Sequence, residues 1–422
     1  MVVPWADHAI WWHVYPLGFV GAEPAALPTG FRTPRLGRLE NWLDYVIELG
    51  CSGLLLGPIF ESETHGYDTI DHFRIDARLG DYEDFDSLVA AAKERGLRIV
   101  LDGVFNHVAR SFAAPPEWFK HRPDGSLETF EGHEHLVVLN HEEPAVREYV
   151  VEVMCHWLDR GVDGWRLDAA YAVPPEFWRG VLSEVRERFP ESWFVGELIH
   201  GDYAGYAATS TLDSITQYEL WKAIWSSLND RNFFELAYAL ERHQQFVDPL
   251  VPQTFVGNHD VTRIASKLDD PRHLGHALAV LFAVAGVPSI YAGDEQAMQG
   301  IKEDRFGGDD AVRPEFPDKP GELVDPHWAT YRLHQRLIGV RRRNAWLTRS
   351  RTKVAHLTNQ ALALRSGDAR GQLLLLLNVG DEAYRFPVEV AGLVIAAQSD
   401  PGHLPEDPLL VPPHGWLVLA TG

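Results

Sequence analysis

The chain has 422 residues, 45% of them hydrophobic, which is enough for a sizeable core in one large domain with something appended. Its formal net charge of −22 repels phosphate backbones and anionic lipid, so nucleic-acid and membrane partners are disfavoured and a neutral substrate is the simplest reading. No apolar run approaches the roughly 20 residues that span a bilayer. The stretch from Met1 to Gly18 lacks the basic start of a signal peptide, and Cys51 and Cys155 are too few for a disulfide framework, so a cytoplasmic location is expected.

In chain order, the pattern predicts a strand over 9–16, a helix over 36–49 ended by Gly50, a strand over 52–56, a helix over 84–95 stopped by Gly96, and a strand over 97–104. A helix over 144–160 begins at a proline and ends at Gly161. Strands follow over 163–167, 193–196, 214–217, 254–257 and 288–291, with helical stretches between most of them. Strands that alternate with crossovers imply parallel pairing with both faces covered. A doubly wound sheet fits that pattern too, but a repeat of roughly 340 residues favours a closed (β/α)8 barrel with insertions. The expected organisation is a barrel over 1–108 and 140–348, a short insertion over its mouth at 109–139, and a C-terminal part over 349–422. That last part, with strands at 373–377, 388–390 and 416–419 and no helices between them, reads as a small antiparallel β domain.

Barrel enzymes carry their reactive groups on the C-terminal ends of the strands. Here the third strand runs into Asp102-Gly-Val-Phe-Asn106-His107, the fourth into Gly164-Trp-Arg166-Leu-Asp168, the fifth into Gly196-Glu197 and the seventh into Gly257-Asn258-His259-Asp260. Cleaving a glycosidic bond needs one carboxylate to attack the anomeric carbon and a second to protonate the leaving oxygen. Asp168 lies two residues after Arg166, so both side chains leave the strand on one side, and the arginine can keep the carboxylate ionised, as a nucleophile requires. Glu197 follows the apolar run Trp193-Phe-Val-Gly, surroundings that suit a general acid. Asp102, inside its strand, is expected to be a structural partner of Arg166. The cluster His133, Glu134, His135 and His141 has no zinc-ligand spacing and is assigned no metal. Trp157, Trp178 and Trp221 are expected in the core; Trp118 and Phe119, in the insertion, are candidates for stacking on a sugar.

The segments Asp102 to Val108, Gly164 to Ala170, Gly196 to Leu198 and Val256 to Asp260 resemble, in order and spacing, the four conserved regions of the α-amylase family of glycoside hydrolases. His65-Gly-Tyr67-Asp68 after the second strand and Tyr291-Ala-Gly-Asp-Glu after the eighth extend the resemblance. It implies a retaining mechanism on α-glucosidic bonds, with Asp168 as nucleophile, Glu197 as acid/base, Asp260 as the carboxylate that grips sugar hydroxyls, and Arg166 orienting the nucleophile. It places Tyr67, Asp68, His107 and His259 around the sugar that is cleaved; His65, Tyr171, His200 and Arg313 are further candidates for substrate contact.

Many starch-degrading members carry Lys-His shortly after the nucleophile, the lysine contacting sugars on the leaving-group side and the histidine supplying a calcium-binding carbonyl. Tyr171-Ala172 stand there instead, and Asn106 is the one residue matching a calcium ligand of those enzymes. No cofactor is expected for the chemistry, and the metal reading is none, with a structural calcium at Asn106 the only alternative. Leu198-Ile-His200 resembles members acting on small maltooligosaccharides or cyclodextrins. The expected activity is hydrolysis of short α-glucosides or maltooligosaccharides. Transglycosylation through the same covalent intermediate is the alternative, and a non-catalytic binding member is a third reading that intact Asp168 and Glu197 oppose. A small carbohydrate is the one expected partner, and the sequence sets no oligomeric state.

Overall fold

The computed structural model describes residues 3–28, 30–247, 250–305, 307–400, 402 and 406–422. Met1, where the expected barrel segment begins, and Phe306, in the loop after its last strand, lie outside them. Eight strands form the central sheet: β1 (Trp11–Val14), β2 (Gly53–Leu56), β3 (Arg98–Gly103), β4 (Gly164–Leu167), β5 (Trp193–Gly196), β6 (Ser214–Ile215), β7 (Gln253–Phe255) and β8 (Val287–Tyr291). They follow the order β6-β5-β4-β3-β2-β1-β8-β7, all pairings parallel. A parallel bridge from Thr216 to Gln253 joins the two edges, and the Ser214 hydroxyl donates to the Val251 carbonyl alongside it. The sheet is therefore a closed (β/α)8 barrel. No helix among the described residues is long and apolar enough to cross a membrane.

Several elements differ from the sequence pattern in bounds, for local reasons. The first strand stops at Val14 because Pro16 opens a one-turn helix, Pro16–Phe19. The helix expected over 36–49 is a 3₁₀ segment, Leu36–Trp42, continued by an α-helix, Leu43–Leu49, and Gly50 ends it at φ 102, a left-handed position suited to glycine. The next helix starts earlier than expected, as Tyr82–Glu94, because Asp81 and Asp84 form a reciprocal capping box around its first turn.

Alternation along the strands divides the barrel into an inner and an outer core. Trp12, Leu54, Leu56, Ile99, Leu101, Trp165 and Phe194 face the helices. Trp11, Leu55, Val100, Trp193 and Val195 face inward with Val3, Ala6 and Ala9, so the N-terminal segment plugs the barrel floor. Trp11 and Trp193 stack across that floor, with centroids 5.4 Å apart. The close strands leave no room for side chains at Gly53 and Gly164: a methyl on Gly53 would stand 2.4 Å from the Arg98 carbonyl oxygen and 2.7 Å from the Trp11 ring, and one on Gly164 2.1 Å from the Trp193 carbonyl oxygen.

The C-terminal part is a five-stranded antiparallel sheet of β9 (Arg351–Leu357), β10 (Ala361–Asp368), β11 (Gly371–Asn378), β12 (Leu393–Gln398) and β13 (Trp416–Thr421), in the order β9-β10-β11-β13-β12. The strand expected over 388–390 does not form. Val388 and Val390 pack on the sheet's outer face from a loop, and the short pairing nearby joins Tyr384–Arg385 to Leu410–Val411. β11 reads as a plain leucine run because both of its faces are buried: Leu373, Leu375 and Leu377 meet the barrel core, while Leu374 and Leu376 meet the outer cluster.

The floor geometry yields a test. Gly164→Ala is expected to lower unfolding free energy by about 1–3 kcal/mol, the usual cost of overpacking a filled core, read as a shifted urea midpoint at unchanged slope. A midpoint equal to that of the parent would mean the layer has slack that the 2.1 Å contact denies.

Candidate active site

At the C-terminal mouth, alternation lifts His13 from β1, Asp102 from β3 and Arg166 from β4 into the layer above the tryptophans. Arg166 is the centre of this layer. Its side chain is 3% exposed, and its Nη1 donates to both oxygens of Asp102 at 2.8 and 2.6 Å and to Asp168 Oδ1 at 3.4 Å, while Nη2 lies 2.8 Å from Glu197 Oε1. The expected pairing of Asp102 with Arg166 is present, and it is tighter than the contact with Asp168. Asp168 and Glu197 each follow directly on the last residue of adjacent strands, β4 and β5, and so come within reach of one guanidinium.

The structure reverses one expectation about these two acids. Glu197 does not sit among apolar groups: its Oε1 also accepts from the Tyr218 hydroxyl at 3.1 Å, and its Oε2 from the Ala169 amide at 3.0 Å. Asp168 is the acid pushed well above the ordinary carboxyl value, first by burial and then by the Glu197 charge, against the pull of Arg166.

Asp260 reaches the same mouth from the loop after β7. Burial opposes its charge, but His259 and Arg313 hold the carboxylate well below its ordinary value. Oδ2 lies 2.9 Å from His259 Nε2, and Oδ1 accepts from Arg313 Nη2 at 2.9 Å. The backbone NH of Asp260 donates to Asn258 Oδ1 at 2.9 Å, and the Asn258 amide donates to Tyr218 at 2.8 Å, so one chain of contacts links Asp260 to Glu197. The Tyr67 hydroxyl contacts His259 Nε2 and donates to Asp102 Oδ2 at 3.0 Å, and the Tyr67 and His259 rings lie parallel, 5.2 Å apart. The His107 ring stays neutral, its value driven down to about 3 by burial, and its Nε2 meets the Tyr67 carbonyl at 3.1 Å. Asp68 is fixed through Oδ2 by Thr64 at 2.5 Å. Its Oδ1, together with His259 Nδ1 and His13 Nε2, is buried without a hydrogen-bond partner among the described residues. Buried polar atoms without partners are costly.

Other expected contacts fall differently. Arg313 does not reach out as a free hand for substrate: it is 10% exposed, donates Nε to the His259 carbonyl at 3.0 Å, and lies over the Tyr15 ring at 4.6 Å. Tyr171 is tied to the insertion, its hydroxyl donating to Glu131 at 2.7 Å, and His200 stands beside it with ring centroids 6.5 Å apart. His65 keeps its carbonyl on the Tyr15 hydroxyl at 2.7 Å and its Nδ1 4.0 Å from Asp68. The Asn106 amide nitrogen faces His107 Nδ1 at 3.1 Å. The His133 and His135 rings meet at 5.8 Å, but His141 turns away to the Phe105 carbonyl. In the insertion, Trp118 packs edge-on against Tyr149 at 5.1 Å, and the ring that reaches the site is Phe130, stacked 4.4 Å from His107. A cavity of about 690 Å³ opens beyond the Tyr171–Glu131 contact, lined by Asn106, Phe119, Lys120 and Glu142 among others, and none of the three carboxylates lines it.

Tyr218, Phe130 and Tyr15 are site residues that the sequence reading missed. Tyr218 opens the helix after β6, at the barrel end that carries the other groups, and its position in the repeat was a usable signal. Phe130 lies in an irregular segment whose course no periodicity reveals.

A closed (β/α)8 barrel that gathers three carboxylates and a buried arginine at its C-terminal mouth belongs to the class of barrel glycoside hydrolases. Comparison with known proteins gives the family. The family profile described as "Alpha amylase, catalytic domain" matches residues 36–131 and 127–348, and the chain belongs to the α-amylase family. It is 27% identical over 427 residues to a cyclomaltodextrinase of Geobacillus thermopakistaniensis, covering 92% of this chain and 71% of that protein. It is 29% identical to neopullulanase 2 of Thermoactinomyces vulgaris, covering 85% of this chain and 66% of that protein. Against the maltogenic alpha-amylase of Bacillus acidopullulyticus it is 29% identical, covering 70% of this chain and only 57% of that protein. Among solved structures, the cyclic alpha-maltosyl-(1→6)-maltose hydrolase of Arthrobacter globiformis matches with a TM-score of 0.82 and 25% identity, covering 100% of both chains. The debranching enzyme of Nostoc punctiforme shares the fold, with a TM-score of 0.83 at 24% identity and 100% of both chains covered.

Removing one partner of a buried ion pair strands the other charge, at a cost of about 3–5 kcal/mol. Asp102→Ala is therefore expected to destabilise the fold by that amount in chemical denaturation. A loss under about 1 kcal/mol, the range of exposed pairs, would show that Arg166 is held by Asp168 and Glu197 alone.

Proposed function

We propose that this protein is a retaining hydrolase of α-glucosidic bonds in short maltooligosaccharides, with Asp168 as nucleophile, Glu197 as acid/base and Asp260 as the carboxylate that grips sugar hydroxyls. The observation that carries the reading is the single Arg166 guanidinium reaching acids at the ends of two adjacent strands. The cation favours the charged form of Asp168 for attack on the anomeric carbon, and Glu197 gives a proton to the leaving oxygen. Water then takes the aglycone's place, loses a proton to the same glutamate and releases the sugar from the aspartate. Asp68, His107, Tyr67 and His259 hold the cleaved sugar. Arg313 acts by fixing Asp260, and His65, Tyr171 and His200 lie at the rim as contacts for the rest of the substrate.

In this reading the barrel, 1–108 and 140–348, carries the chemistry; the excursion 109–139 walls the mouth; and 349–422 braces the barrel from outside. The cytoplasmic reading draws support from a relative named intracellular maltogenic amylase. The names cyclomaltodextrinase and cyclic alpha-maltosyl-(1→6)-maltose hydrolase favour small cyclic or linear maltosyl sugars as substrate.

Asp168→Asn and Glu197→Gln are each expected to lower kcat on a maltooligosaccharide by about 10³-fold or more while the protein stays folded, as read by circular dichroism. Near-parental turnover by Asp168→Asn would sink the assignment. The pH profile separates the two roles. Glu197→Gln removes the like charge that raises Asp168, so on an α-glucosyl fluoride, whose leaving group needs no proton, the low-pH limb of kcat/KM should move to lower pH. A limb that stays in place would mean that Glu197 is not what raises Asp168.

Substrate length is the second test. The Tyr171–Glu131 contact and Phe130 over His107 draw the insertion onto the mouth, favouring a pocket over an open groove. We expect kcat/KM on maltotriose and cyclodextrin to exceed that on soluble starch, counted per accessible bond. Starch equal to or better than the short sugars would restore an open cleft.

A further inference from the structure

We propose that Asp270, His273 and His414 form a binding site for one divalent transition-metal ion of the zinc class, tying the barrel to the C-terminal sheet. Asp270 caps the 3₁₀ turn Pro271–His273 that leads into the barrel helix Leu274–Ala283, and His414 comes from the loop entering β13. One ligand atom from each of the three lies within 4.8 Å of the others. His273 Nε2 and His414 Nδ1 are 3.0 Å apart, and Asp270 Oδ2 is 4.0 Å from His414 Nδ1. Two imidazole nitrogens that share a tetrahedral zinc stand about 3.4 Å apart, so a few tenths of an ångström of opening admits the ion.

The surroundings match what a metal-bound histidine needs. The far nitrogen of His414, Nε2, lies 2.9 Å from Asp381 Oδ1, and Asp381 is held in turn by Arg231 at 2.8 Å. A carboxylate on the outer nitrogen places the ring proton there and turns the Nδ1 lone pair inward, the usual support of a ligating histidine. The His273 and His414 side chains are both buried. His414 is held at φ 50, a left-handed conformation that non-glycine residues rarely adopt. Without metal, the His273 Nε2 proton occupies the gap; moving it to Nδ1 of the same neutral ring opens the site with no change in charge. Two imidazoles and one carboxylate select zinc, cobalt or nickel over calcium and magnesium, and leave the fourth position to water. The competitor is Arg272, which now grips Asp270 through Nε and Nη2 at 2.9 and 2.6 Å, but its side chain is 60% exposed and free to swing into solvent.

The test uses the full-length protein, stripped by chelator and titrated with zinc and, separately, cobalt. We expect one equivalent to bind, the visible bands of four-coordinate cobalt to appear, and zinc but not magnesium to raise the melting temperature. His273→Gln and His414→Gln should abolish all three signals, and a His133→Gln/His135→Gln double variant should keep them. Two surface substitutions test the arrangement without threatening the fold. Asp381→Asn, which removes the outer support, should weaken zinc binding about 10-fold or more, and Arg272→Ala, which frees Asp270, should tighten it. Failure of the parent protein to bind zinc, binding unchanged in His273→Gln, or indifference to both Asp381→Asn and Arg272→Ala would each overturn the proposal.

Discussion

The mouth of this barrel is organised by one buried cation. Arg166 stands in a layer that water does not reach, and three carboxylates from three successive strands, β3, β4 and β5, compensate its charge. A guanidinium is suited to this because its donors fan out in a fixed plane and it does not lose its proton. The division of its contacts matters. Asp102 takes the closest pair of hydrogen bonds, although burial raises its carboxyl above the ordinary value; the contact to Asp168 is longer, and Glu197 meets the other terminal nitrogen. Asp168 is raised first by burial and then by the charge of Glu197, against the pull of Arg166.

Above this layer, Tyr67, His259, Asp260 and Arg313 form a second ring of contacts, built from loops rather than strands. The two levels meet at Tyr67, which donates to Asp102, and at Tyr218, which touches both Glu197 and Asn258. Each carboxylate therefore has different surroundings: Asp102 is paired with Arg166 but raised by burial, Asp168 is raised by burial and by Glu197, and Asp260 is held low by His259 and Arg313. Acids of one chemical type are driven apart in behaviour by their neighbours.

The floor of the barrel and its outer sheet explain how short strands hold this geometry. The stacked Trp11 and Trp193 fill the lower interior, and the N-terminal segment closes it from below. Outside, the C-terminal sheet presses on the barrel helix Leu274–Ala283, where the buried His276 meets the carbonyls of Asn378 and Gly415 at 3.0 Å each. That contact, beside the His273–His414 pair, joins the two layers through polar groups as well as apolar ones.

The sequence by itself determined the barrel and the strand ends on which its candidate acids stand. Strand–helix alternation is a local, periodic signal, and Asp102, Arg166, Asp168, Glu197 and Asp260 are tied to strand ends whose direction the repeat fixes. It also determined the pairing of Asp102 with Arg166, since neighbouring parallel strands put them side by side. It did not determine the environment of each acid. The run Trp193-Phe-Val-Gly is apolar, yet Glu197 is surrounded by Arg166, Tyr218 and the Ala169 amide, because the end of β4 and the helix after β6 fold over it. Arg313 looked free in a charged loop and is instead consumed by Asp260 and the His259 carbonyl. Phe130 and Glu131 reach the mouth from an aperiodic insertion, and the outer strands β9 and β12 were hidden because their alternation is interrupted by charged and half-buried positions. Contacts between residues far apart in the chain leave no local pattern, so only the tertiary structure decided which acid keeps its charge, which cation is already spent, and where the mouth is walled.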